Sequence, residues 1–214
     1  MDAIIPKVVF TLFGLPITST VVATWCAMVL ITIIMLALSK WMPSALEMIV
    51  DFLNGLVSSI MGENRNVEDY LPLLGSLAIF VAIANSLGVL PVLTAPTADI
   101  NTTIALSLAV FFGVHIYGIK KKGAKGYFKG LATPGIMLPF EIIGQISRTF
   151  SLALRLFGNV ISGELITAIV FGILPLVAPL PFAALGLFFG ILQSYIFTAL
   201  SALYVDGAVA INEN

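Results

Sequence analysis

Glu141, Arg148 and Arg155 stand seven residues apart in one stretch of the chain. Seven residues are almost two helical turns, so all three share a stripe, which Asn159 and Ser162 extend. Glu164 does not belong to it. Nine residues beyond Arg155 is about 900°, half a turn out of phase. A regular helix therefore presents Arg155 to one side and Glu164 to the other. A guanidinium stays protonated at any workable pH, so it attracts a carboxylate without carrying the proton itself. A carboxyl group does titrate, and its pKa falls near a cation. Glu164, on the far face, suits a water-accessible route because it does not neutralise Arg155 directly. Gln193 adds an amide on the following apolar segment, where a lipid-facing position would leave it unsatisfied.

These residues lie in an unusual setting. The chain has 214 residues, 59% of them hydrophobic and 10% charged, with a mean hydropathy of +1.10. A soluble domain carries about 25% charged residues, so lipid must replace the missing polar shell. An ionised side chain near mid-membrane costs about 2.5–3.5 kcal/mol on insertion scales. The charges therefore need partners, water or a cavity, and Arg155 sits between apolar Leu154 and Leu156. Structural pairing near the membrane surface would also account for Glu141 and Arg148, and a bridge between two helices for Gln193. The formal net charge of -1 gives no reason to expect nucleic acid. Cys26 and His115 are the only cysteine and histidine, too few for a disulfide or a zinc site. No metal or other cofactor is expected, and no GxxxxGK[ST] motif is present to hold a nucleotide.

The elements that position these residues read as an all-α integral membrane protein in one domain, residues 1–214. It has about five membrane-embedded helices plus one amphipathic interfacial helix. The first span covers 17–40, closed by Lys40, Trp41 and Pro43. The preceding residues, with only Lys7 and Asp2 charged, do not look like a cleaved leader. Over 43–61, Glu47, Asp51, Asn54 and Ser58 fall on one helical face opposite apolar residues, the amphipathic pattern. Spans follow at 71–91, with Asn85 near its end, and at 99–119, where Asp99 suits a helix N-cap. His115 fits a structural, interfacial role. Lys120, Lys121, Lys122, Lys125 and Lys129 then supply half of the ten Lys and Arg. The positive-inside rule puts that loop in the cytoplasm, which makes the N-terminus external and the C-terminus cytoplasmic. Segments 134–174 and 175–205 form a hairpin about Pro175–Pro181. A helix of about forty residues reaches about 60 Å, so both must be strongly tilted, broken or partly outside the bilayer.

The stretch Ser151-Leu-Ala-Leu-Arg155-Leu-Phe-Gly-Asn159-Val-Ile-Ser-Gly-Glu164-Leu resembles the signature of subunit a of F-type ATP synthases. Pro139-Phe-Glu141 and Ile146-Ser-Arg148 lead into it at the family's distance, and Ala84-Asn85-Ser-Leu-Gly-Val-Leu-Pro91, Pro96-Thr-Ala-Asp99-Ile-Asn101 and Leu192-Gln193-Ser-Tyr-Ile-Phe197 look like its other helices. The resemblance implies a non-catalytic stator subunit of the bacterial inner membrane. Its partners would be a ring of c-subunits, the b-subunit stalk, the rest of the F1Fo complex and the lipid bilayer. Arg155 would be the essential arginine facing the ring carboxylate between two offset half-channels. Glu164 and Gln193 would belong to the path, with Asn159, Ser162 and Glu141 lining or holding it. The sequence departs from some family members at Gly186, where they carry a histidine. A secondary transporter or free-standing channel is the competing expectation. It predicts internal repeats with interrupted helices, and none is evident. A scaffold whose charges merely pair is the other.

Overall fold

The computed structural model describes residues 8–12, 15–62, 66–88, 95–131, 138–173 and 179–210. A short antiparallel hairpin, β1 (Val8–Leu12) and β2 (Leu15–Thr18), precedes six α-helices. These are α1 (Ser19–Trp41), α2 (Pro43–Met61), α3 (Leu71–Leu87), α4 (Ile100–Leu131), α5 (Leu138–Ile173) and α6 (Pro179–Ala210). Apart from the hairpin, which the sequence reading did not anticipate, the fold is helical. Its surface is apolar: Phe140, Ile173 and Leu36 are each about 70% exposed, at 72%, 71% and 67%. Five helices are long and apolar enough to cross a membrane: α1, α2, α4, α5 and α6. The chain is an all-α membrane protein.

Local sequence explains the breaks. Pro43 opens α2 at its first turn, where a missing N–H costs nothing. Gly62, at φ 85°, ends the same helix. The amphipathic reading of α2 has a clear counterpart, with Leu53, Leu56, Val57 and Met61 buried while Glu47 and Asp51 are exposed. At 17 residues, α3 spans about 25 Å, shorter than the expected segment 71–91. Residues 89–94 lie outside the described residues, as do 132–137 and 174–178, which include parts of the expected turns.

Two boundaries need correction. Residues expected as a lysine loop are helical to Leu131, after a kink at Gly123, whose φ of 71° only glycine adopts readily. The turns beyond the kink are held down by Tyr127, which is fully buried. The last helix runs past the expected end at 205 to Ala210, which places Asp206 inside it. Val205, Ala208 and Val209 continue its buried stripe, and the Lys122 ammonium donates to the Ala208 carbonyl at 3.4 Å. The packed core gathers around this part of α6, with Leu74 and Val81 of α3 and Leu152 and Leu156 of α5. At 36 and 32 residues, α5 and α6 run about 54 and 48 Å. Either one exceeds a hydrocarbon core of about 30 Å.

Candidate functional site

The helix α5 turns one side toward α4 and α6 and leaves the other open. Leu152, Ala153 and Leu156 are buried, whereas Ser151, Leu154, Arg155 and Ser162 are exposed. Among the described residues, Arg155 and Ser162 have no hydrogen-bond or ion-pair partner. The guanidinium thus emerges from an apolar wall: Phe150, five residues before it, is 59% exposed and Leu154 beside it 50%.

On the same stripe, nearer the lysine end, Arg148 lies 4.0 Å from Glu141, with about half of the arginine side chain exposed (53%). That pair is long and loosely held. Gln145, one turn from Glu141, donates to the Glu141 carboxylate at 3.3 Å. The Arg148 guanidinium lies over the Tyr204 ring, 5.8 Å from its centre. These four side chains, with His115 of α4, line a cavity of about 330 Å³ between α4, α5 and α6. The sequence reading missed Gln145 here. Its placement four residues after Glu141, one turn along a helix, was the available signal.

Toward the other end of the bundle the polar groups are more tightly bonded. Glu164 points away from Arg155, and its carboxylate accepts from the Ala95 amide at 3.2 Å. Beside it, buried Asn85 donates to the Gly190 carbonyl at 2.9 Å and accepts from the Thr97 hydroxyl at 2.6 Å. A Cβ at Gly190 would stand 3.0 Å from that of Asn85, so the glycine permits the close approach of α3 and α6 that this bond requires. Buried Asp99 accepts from the Asn101 amide at 2.9 Å, the capping geometry, and from the Thr20 hydroxyl of α1 at 2.6 Å. The roles of Thr97 and Thr20 were not readable from spacing, since each partner lies on a different element.

Between the two groups, Asn159 donates to the Phe189 carbonyl at 3.3 Å and ties α5 to α6. Gln193 does not reach Arg155 by a hydrogen bond. Only 4% of it is exposed, and its amide nitrogen has no partner. Its neighbour Ser194 donates to the Ala78 carbonyl of α3 at 2.7 Å. A side chain at Gly186 would meet nothing within 4 Å. Among the described residues no cluster of His, Cys, Asp and Glu could hold a metal ion. His115 donates from Nδ1 to the Phe111 carbonyl at 2.8 Å and packs its ring against Phe111 and Tyr127.

Known proteins share this chain's sequence over almost its whole length. The family model described as ATP synthase A chain matches residues 16–206. A relative from Bradyrhizobium sp., named ATP synthase subunit a 2, is 40% identical over 203 residues, covering 90% of this chain and 89% of the relative. One of the same name from Picosynechococcus sp. is 40% identical over 208 residues, with coverage of 92% and 88%. ATP synthase subunit a 1 of Chlorobaculum parvum is 39% identical over 210 residues, with coverage of 93% and 92%. With its apolar helices and its arginine-bearing α5, the chain belongs to the ATP synthase A chain family, the membrane-embedded subunit a of ATP synthases.

Proposed function

We propose that this chain is the ion-conducting stator of a rotary ATP synthase, with no nucleotide chemistry of its own. The observation that carries the reading is Arg155, a permanent cation on an exposed membrane helix face with no partner among the described residues. At about 2.5–3.5 kcal/mol for a charge at mid-membrane, the fitting partner is a carboxylate supplied from outside. A ring of c-subunits passing this face would present such groups in turn. Each carboxylate loses its H⁺ or Na⁺ near the guanidinium and regains one after passing it, so Arg155 also blocks a direct leak.

Two polar regions support the access routes on either side. The cavity lined by Glu141, Arg148 and Tyr204 suits the route from the lysine end. The group around Glu164, Asn85 and Gln193 suits the route from the other, with Asn159 holding the helices and Ser162 lining the ring face. We place the lysine end in the cytoplasm of a bacterium and the N-terminus outside. The b-subunit stalk would hold the chain against the moving ring within the F1Fo complex. An ion crossing both routes releases about 2.3 kcal/mol per charge per 100 mV, so several are needed for each ATP.

Arg155→Ala and Arg155→Lys test this in vesicles carrying the whole complex. ATP-driven ion transport is expected to be lost in both while the subunit still copurifies with its partners. Full coupled transport in either variant removes the assignment.

A further inference from the structure

The outward face of α4 carries a row of residues spaced four apart. Leu108, Phe112 and Ile116 are 40%, 59% and 61% exposed, and the next member of the row is exposed Lys120. Four residues advance a helix by about 400°, so each side chain stands about one turn above the last and only about 40° round from it. The row is therefore an apolar ladder about 18 Å long with an ammonium at its top. Gly123, at φ 71°, then bends the helix. Beyond the bend Tyr127 is fully buried, while Lys125 and Phe128, three residues apart, are exposed, as is Lys121 before it. Among the described residues Lys120, Lys121 and Lys125 have no hydrogen-bond or ion-pair partner. From Ile100 to Phe140 the chain holds no Asp or Glu. Lysines at the end of a membrane helix stand at headgroup depth, with their stems along apolar surface and their ammonium groups toward water.

We infer that this end of α4 is a binding site for an anionic phospholipid, with the phosphate among Lys120, Lys121 and Lys125 and an acyl chain along Ile116, Phe112 and Leu108. The arrangement selects such a lipid by its charge and its length. Positive charge is confined to one end of the ladder and carries no local carboxylate, so it complements a phosphate. A zwitterionic headgroup would bring its own ammonium against three others. A partner helix would need a carboxylate at headgroup depth and would shut lipid out of the ladder. The site requires only that α4 crosses the bilayer, and it is independent of the ion path.

The test places a fluorophore on the ladder. In a Cys26→Ser background, the whole complex carries Ile116→Cys labelled with bimane, and its signal is read against the same complex with Ile116 intact. The complex is reconstituted into phosphatidylcholine vesicles containing a minor fraction of phosphatidylglycerol. A doxyl quencher near the carbonyl end of the acyl chain is carried either by the phosphatidylglycerol or by an equal amount of phosphatidylcholine. Preference for phosphatidylglycerol at the ladder is expected to exceed about tenfold at low salt. It should fall about fivefold in Lys120→Gln, the weight of one lysine beside an anionic headgroup. Lys120→Arg should keep it, because the charge remains, and raised salt should weaken it in both. Equal quenching by the two lipids overturns the inference. So does a preference that survives Lys120→Gln, Lys121→Gln and Lys125→Gln combined; if that variant does not assemble, Lys120→Gln alone decides. Absence of quenching by either lipid overturns it as well, because protein then covers the ladder.

Discussion

At the scale of single residues, the same stretch of helix holds charges in three different states. Arg155 is exposed and unpaired among the described residues, Arg148 and Glu141 form a loose pair at 4.0 Å, and Glu164 is bonded to backbone. Phase on α5 accounts for Glu164, whose face meets the residues after α3, whereas Arg155 and Arg148 share a stripe and differ in the neighbours that each meets along the helix. The seven-residue spacing was legible in the sequence and so was the half-turn offset of Glu164. The Ala95 amide as the partner of Glu164 was not, since 69 residues separate them. Glu164→Gln is expected to keep that bond through its amide oxygen while losing the charge. Ion transport should fall about tenfold, the effect of removing about 1.4 kcal/mol of attraction on a passing cation, and remain above that of Arg155→Ala. A rate equal to wild type would put Glu164 off the path. Asn85 belongs to the same scale. Asn85→Ala leaves the Gly190 carbonyl and the Thr97 hydroxyl without it, a cost of about 2–6 kcal/mol at about 1–3 kcal/mol for each buried group. Thermal unfolding of the purified complex should show this as early loss of the subunit, and an unchanged midpoint would count against it.

At the scale of elements, hydrophobic runs located the helices, whereas their ends depended on neighbours. The lysines after Ile119 read as loop because charge rarely continues a span. Yet Tyr127 finds a buried seat, and α4 resumes after Gly123 turns the chain at positive φ. Likewise α6 continues past Asp206 because Val205, Ala208 and Val209 have a core to pack on. The α3–α6 contact depends on Gly190. Gly190→Val should push the two helices apart and cost about 1–3 kcal/mol, as overpacking does. Cross-linking between cysteines placed at positions 78 and 194, where the Ser194 hydroxyl reaches the Ala78 carbonyl at 2.7 Å, is the check, with undiminished yield speaking against a close-approach role. Neither charge nor hydropathy marks such a glycine in the sequence. It becomes visible only when Asn85 is seen against it.

At the scale of the whole molecule, the proposed orientation rests on the charge distribution, and the proposed partner on the open face of α5. In a Cys26→Ser background, Lys125→Cys is expected to react with a membrane-impermeant maleimide only from the cytoplasmic side. Thr11→Cys, at an exposed position of the hairpin, should react only from outside. Labelling of both from the same side would invert the assigned orientation. The sequence by itself determined that this chain lives in lipid, since a chain with 10% charged residues cannot cover itself in polar groups. It also determined which helix carries the arginine and on which stripe, because helical phase is a local property of the backbone. The tertiary structure alone decided which charges find partners, that Gln193 is buried without a hydrogen bond to Arg155, and that His115 shares a cavity with Glu141 and Arg148. Those outcomes depend on contacts between helices far apart in the chain, and spacing along a single helix carries no information about them.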